Sequence, residues 1–231
     1  MIIACHQPVF LPWSGFFYKS LNVDRLVLLD EVQYGRGFTW MNRNRLKYDQ
    51  GELWLSVPVR KKGKGLQKIC EVEISYDRDW PRKHLESLRQ HYGHAPYYDE
   101  HRHVLEELYR QRLEKLVDFN YVILAYLLRA VGISEERIIL QSGLQVHGRA
   151  SELLIRICQK TGASHYYAPS MSRKYIDADL FNEHGIEIVY YSFTPPIYPQ
   201  LYGQFIDNLS FLDLLLNCGP KSGEIILRYN Q

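Results

Sequence analysis

No sign of charge dominates this 231-residue sequence: 28 Lys and Arg stand against 26 Asp and Glu, a formal net charge of +2. A protein that grips nucleic-acid backbone needs a larger basic excess, so nucleic acid is not an expected partner. Cysteine is scarce and scattered, with Cys5, Cys70, Cys158 and Cys218 far apart and no Cys-x-x-Cys pair. That usage fits reduced core thiols in a cytoplasmic protein, with Cys5, beside His6 at a strand end, as the one alternative nucleophile. The longest apolar stretch, residues 119–131, is broken by Asn120 and Arg129 and is too short to cross a bilayer, so no membrane span is expected. Neither a basic leader nor a long apolar region opens the sequence, so a secretory signal is not expected either. The P-loop spacing, His-Glu-x-x-His and Gly-x-Ser-x-Gly are all missing, as is any internal repeat. His84, His91, His94, His101 and His103 crowd the middle, but no Cys or Asp completes a metal set, so no metal is assigned and the cofactor stays unknown.

What is abundant is tyrosine, 18 residues, with 9 His beside it. Tyrosine joins an apolar ring to a hydroxyl, so the excess suggests half-buried surfaces such as a cleft or an interface.

The hydrophobic patterning is mixed. Residues 2–5 read as a buried strand opening into a loop stiffened by Pro8 and Pro12, and Gly15 starts a short helix through Leu21. Residues 25–30 form a second strand ending in Asp30 and Glu31. Residues 53–59 and 69–75 alternate like the arms of a hairpin joined by a Gly- and Lys-rich tip. Helical spacing then dominates at 79–92, 99–117 and 119–131, so residues 77–132 are expected to be a helical subdomain inserted in a single α/β domain over 1–231. After it, strands at 137–141, 165–168 and 186–191 alternate with helices at 151–161 and 175–184. This order predicts an α/β fold: a mostly parallel, Rossmann-like sheet flanked by helices, with a β-hairpin and a helical insertion. Ligands of such sheets bind beyond the C-terminal strand ends, here residues 6–13, 30–34, 169–175 and 192–200.

Several constellations carry chemistry. His6 and Gln7 between strand and prolines, with Trp13 following, can hold fixed hydrogen-bonding groups; a structural turn with Trp13 in the core would look the same. Asn42-Arg43-Asn44-Arg45, following Asp30 and Gln33, offers a guanidinium for phosphate or carboxylate and amides for hydroxyls, or else a solvated ion-paired loop. Arg60, Lys61, Lys62 and Lys64, with two glycines, read as a solvated tip or as a phosphate clamp. Tyr175, Tyr198 and Gln200 place aromatics and an amide near strand ends, for stacking on a ligand or packing helices on the sheet.

Taken in order, His6-Gln-Pro-Val-Phe-Leu-Pro-Trp-Ser-Gly-Phe-Phe, Asp24 to Asp30 with Val32-Gln33-Tyr34, Asn42-Arg43-Asn44, Trp54-Leu-Ser-Val-Pro58, Tyr175-Ile-Asp177, Tyr198-Pro-Gln200, Asn208-Leu-Ser-Phe-Leu-Asp213 and Asn217-Cys-Gly219 resemble the WbqC-like proteins. The motifs run from His6 to Gly219; the Gly35-Arg36-Gly37 stretch departs from the family's less glycine-rich pattern. The resemblance implies a bacterial protein of O-antigen or other surface-polysaccharide biosynthesis, and with it a cytoplasmic step on a nucleotide-activated amino sugar. A transferase of acyl or aminoacyl groups is the leading expectation. In it His6 is the base with Asp30 as a further catalytic residue, Arg43 and the basic loop hold phosphate, and Gln7, Gln33, Asn42, Asn44 and Gln200 orient hydroxyls. Trp13, Tyr175 and Tyr198 supply aromatic walls. The strand–Pro loop–helix start is also analogous to adenylate-forming nucleotidyltransferase-like enzymes, although their His-x-Gly-His signature is missing; Phe10 and Trp13 stand near its place. An ATP-dependent ligase and a non-catalytic scaffold of glycan assembly remain the alternatives, with other glycan enzymes or a second copy of the chain as partners.

Overall fold

Runs such as Ile2-Ile3-Ala4-Cys5 are apolar on both faces, the pattern of strands covered on both sides by helices. A computed structural model describes residues 1–35 and 37–230. The chain begins with β1 (Ile2–His6), α1 (Ser14–Leu21) and β2 (Arg25–Leu28), then forms the antiparallel pair β3 (Arg43–Tyr48) and β4 (Gly51–Ser56). Three helices follow, α2 (Trp80–Tyr92), α3 (Tyr98–Arg110) and α4 (Leu116–Ala130), leading to β5 (Ile138–Leu140) and the short α5 (Gln141–Leu144). The remainder is α6 (Ala150–Thr161), β6 (His165–Pro169), α7 (Ala178–Glu183), β7 (Glu187–Tyr191), α8 (Phe211–Cys218) and α9 (Ser222–Arg228).

β5, β2, β1, β6 and β7 lie in that order in one parallel five-stranded sheet. The chain enters at the centre, builds outward through β2 and β5, then returns to build the other side through β6 and β7. The strand order therefore reverses between β1 and β6, where two connections leave on opposite faces and open a crevice. Period-two alternation divides each strand between two cores. Ala4, Leu26, Leu28 and Tyr167 pack with α1, α4 and α8, whereas Ile3, Val27, Tyr166 and Ala168 pack with α6 and α7. No described helix is long and apolar enough to cross a membrane.

The hairpin falls earlier than the alternation suggests. Residues 51–56 pair with residues 43–48, in register Leu46↔Leu53, and residues 59 and 74 meet only at an isolated bridge. Residues 69–71 form a 3₁₀ turn rather than a strand. The helical pattern at 99–117 breaks at Arg110, beyond which Arg112 adopts φ 47, and α4 starts already at Leu116. Helix α7 starts at Ala178 rather than at Tyr175, because the Asp177 carboxylate accepts the Leu180 amide at 3.1 Å and caps it there. Arg36, part of the glycine-rich departure, lies outside the described residues.

Candidate functional site

At the reversal point a cavity of about 390 Å³ is lined by His6, Trp13, Gly15, Phe16 and Lys19 on one side and by Pro169, Ser170, Tyr191, Ser192 and Phe193 on the other. Its first wall is the loop after β1, which other parts of the chain hold in place. Buried Asn120 donates to the carbonyls of Pro8 (2.9 Å) and Met41 (2.7 Å), and buried Asn44 to those of Phe10 (3.2 Å) and Leu11 (2.6 Å). The Phe10 amide donates to Trp40 O and the Phe211 amide to Pro12 O, at 3.1 and 2.7 Å. These ties hold Leu11 at φ 45, a left-handed conformation that a non-glycine residue keeps only when its surroundings impose it.

His6 ends β1 with its ring edge-on to Trp13 and Phe16, at centroid distances of 5.6 and 5.0 Å. Its Nδ1 lies 2.8 Å from Gln7 O, so Nδ1 carries the proton and Nε2 keeps its lone pair. Burial, with the neighbouring Lys19 charge, drives its pKa down to about 3, leaving the imidazole neutral at physiological pH.

Lys19 is a second device. It projects from α1, 4% exposed, and donates from Nζ to Cys5 O at 3.0 Å. Burial lowers its pKa to about 7, so the ammonium is held only weakly in its charged form. Helix α1 has no side-chain cap and no carboxylate in its first turn, which leaves its positive end free at the cavity rim. A Cβ on Gly15 would come within 2.9 Å of both Phe193 and Trp13, so only glycine lets the helix start fit between these rings. The Cys5 thiol is pushed up to about 12, mainly by burial, and is therefore protonated and a poor nucleophile.

The sequence-predicted residues divide between this cavity and the framework around it. His6 and Trp13 line it, and Gln7 contributes its carbonyl while its side chain is exposed. Asp30 is buried one strand away, accepting the Ser142 amide at 2.9 Å, and does not line the cavity. Asn42 and Asn44, expected in a loop facing a ligand, are buried at the hairpin, and Asn42 donates to Val57 O at 2.8 Å. The Arg43 guanidinium lies 5.3 Å from the ring centre of Phe38, in an exposed aromatic group with Trp40 and Trp54. Gln33 is exposed and lines a different cavity, and Tyr175 is 73% exposed; neither lines this one. Tyr198 donates to Asp213 at 2.7 Å, Tyr92 donates to the same carboxyl at 2.5 Å, and Gln200 accepts from Lys47 at 3.1 Å. These polar groups join β3, α2 and α8 rather than facing the cavity.

The basic segment is not the hairpin tip and does not reach His6. Arg60 lies 4.0 Å from Asp77, Lys64 pairs with Glu73 at 3.2 Å, and Lys61 lies over the Tyr34 ring; Lys62 is exposed. Ser170, Ser192 and Phe193 lie in the strand-end segments 169–175 and 192–200 expected to face a ligand, whereas Lys19 was missed. Lys19 had a readable signal, a lysine three residues after Phe16 in a short helix that is otherwise uncharged. Among the described residues no group of three or more His, Cys, Asp or Glu is arranged to hold a metal ion.

The family model described as "WbqC-like protein family" matches residues 7–225. An uncharacterized protein of Mycobacterium tuberculosis is 32% identical over 229 residues, covering 98% of this chain and 97% of the relative. No solved structure matches the chain.

Proposed function

The chain belongs to the WbqC-like protein family, and we propose that it transfers an acyl or aminoacyl group onto an amino sugar carried by a nucleotide, in assembly of O-antigen or another surface polysaccharide. The observation that carries this reading is a neutral histidine with a free Nε2 beside a buried ammonium, at the point where the strand order reverses. Open α/β sheets bind nucleotides at such points, and an uncapped helix start with a buried cation suits phosphate.

In the reaction the sugar amine attacks the donor carbonyl. His6 Nε2 takes the amine proton as the C–N bond forms, then returns it to the leaving group as the carbonyl–donor bond breaks. A base held near pKa 3 is weak; burial is the larger cause that lowers it, and the Lys19 charge is the second. Phosphate placed against Lys19 neutralises that charge, so His6 becomes more basic when substrate is present. Trp13, at the mouth of the loop, provides the stacking wall. Phosphate is thereby assigned to Lys19 and the α1 start rather than to residues 60–64, whose Arg60 and Lys64 face carboxylates.

The test is transfer from an acyl donor to a nucleotide-linked amino sugar by the native protein and by His6→Ala. Loss of transfer with retained fold and nucleotide-sugar binding supports the reading, and full activity in the variant removes His6 from it. Turnover that requires ATP and releases pyrophosphate identifies the adenylate-forming alternative instead.

A further inference from the structure

A separate cavity of about 890 Å³ opens at the C-terminal ends of β2 and β5, lined among others by Glu31, Lys68, Gln141, His147 and Arg149. It shares no lining residue with the His6 cavity. Two of its polar side chains are incompletely bonded. Gln141 is 2% exposed and donates from Nε2 to Val146 O at 3.0 Å. That bond fixes the amide, because the reversed orientation would set two oxygens against each other. Its Oε1 then has no donor among the described residues. Glu31 accepts Lys68 Nζ at 3.0 Å through Oε1, while its buried Oε2, 3.4 Å from His147 Nδ1, makes no hydrogen bond among the described residues.

Buried acceptors without donors are costly and uncommon, and two in one cavity call for a ligand bearing hydroxyl or amine hydrogens. The opposite need arises at the start of α6. Arg149 is its N-cap residue, no side chain caps the helix, and the guanidinium and first-turn amides suit an anion. Glu152 in that first turn offsets part of the field. The volume exceeds what a free amino acid fills, and among the described lining residues His147 is the sole aromatic side chain that could stack a base.

We propose that this cavity binds a phosphorylated sugar, with sugar hydroxyls donating to Glu31 Oε2 and Gln141 Oε1 and the phosphate held by Arg149 and the α6 start. The assignment rests on the proposed transferase only for naming the polyol a sugar. Because His6 and Leu28 are register partners on neighbouring strands, the two cavities open on the same edge of the sheet.

Calorimetric titration with N-acetylglucosamine 1-phosphate, free N-acetylglucosamine, inorganic phosphate and glycine tests this. The sugar phosphate is expected to bind more tightly than either fragment, and glycine not at all. Arg149→Ala, at an exposed position, should weaken sugar phosphate and phosphate about tenfold or more and leave the free sugar unchanged. Gln141→Leu should weaken the two sugars several-fold and spare phosphate. His6→Ala should bind all of them as the native protein does, so a failed transfer assay and a failed titration remain distinguishable. Equal affinity for phosphate and sugar phosphate, indifference to Arg149→Ala, binding of glycine, or loss of binding in His6→Ala each overturns the proposal.

Discussion

Replacing Lys19 by methionine removes a cation that the fold keeps out of water. The side chain is 4% exposed, and its pKa falls from the usual 10.5 to about 7. At about 1.4 kcal/mol per pH unit, holding this ammonium in the folded state costs about 4 kcal/mol at pH 7. The sign follows from proton counts. Between pH 7 and 10.5 the unfolded chain binds more protons at this lysine than the folded one, so native stability rises with pH across that window and is flat below it. From pH 7 to pH 9 the lysine should contribute a gain of about 2 kcal/mol, or about 5 °C in melting temperature for a chain of this size. Lys19→Met should be more stable at pH 7, less about 1 kcal/mol for the lost bond to Cys5 O, and should lack this pH-dependent gain. Thermal unfolding of both proteins at the two pH values provides the comparison. A difference between them that does not change with pH would refute the buried-ammonium reasoning.

The same lysine predicts proton uptake. Near pH 7 about half of the free protein is unprotonated there, so binding a phosphate compound at the His6 cavity should take up as much as about half a proton, measured by calorimetry in buffers of different ionisation enthalpy. Gly15→Ala should keep the fold but force Trp13 or Phe193 toward the cavity, weakening ligand binding at least severalfold without a matching loss of melting temperature. Asn44→Leu leaves the Phe10 and Leu11 carbonyls without their donor and should cost about 2–4 kcal/mol in chemical denaturation. Lys61→Ala, in the basic segment, should leave nucleotide-sugar affinity nearly unchanged by titration, because that segment lies away from the His6 cavity.

The parallel sheet was legible because its strands are short, apolar on both faces and separated by helical patterns. The Pro-stiffened loop marked His6 and Trp13 for the same reason. The hairpin was hidden by its first strand, Arg-Asn-Arg-Leu-Lys-Tyr, in which charge masks the alternation. Asn44 is buried there against backbone carbonyls, a role that no local pattern announces. Asn42, Tyr198 and Gln200 read as ligand contacts because amides and hydroxyls look alike in sequence whether they face a ligand or tie elements together. The ion pairs of the basic loop were hidden in a similar way, since its acidic partners Glu73 and Asp77 lie 9 or more residues further along and read as separate features. Lys19 and the wall at 191–193 meet only when β7 is laid beside β6, which depends on strand order rather than local pattern.

The coupling of His6 to a bound phosphate can be measured directly by following its ring nitrogens by NMR through a pH titration, with and without a nucleotide-linked amino sugar. The free protein should show Nδ1 protonated and a pKa near 3, and the ligand should raise that value as it neutralises Lys19. A free His6 titrating near 6.5, or a bound ligand that leaves its value unmoved, would contradict the site and the reaction built on it.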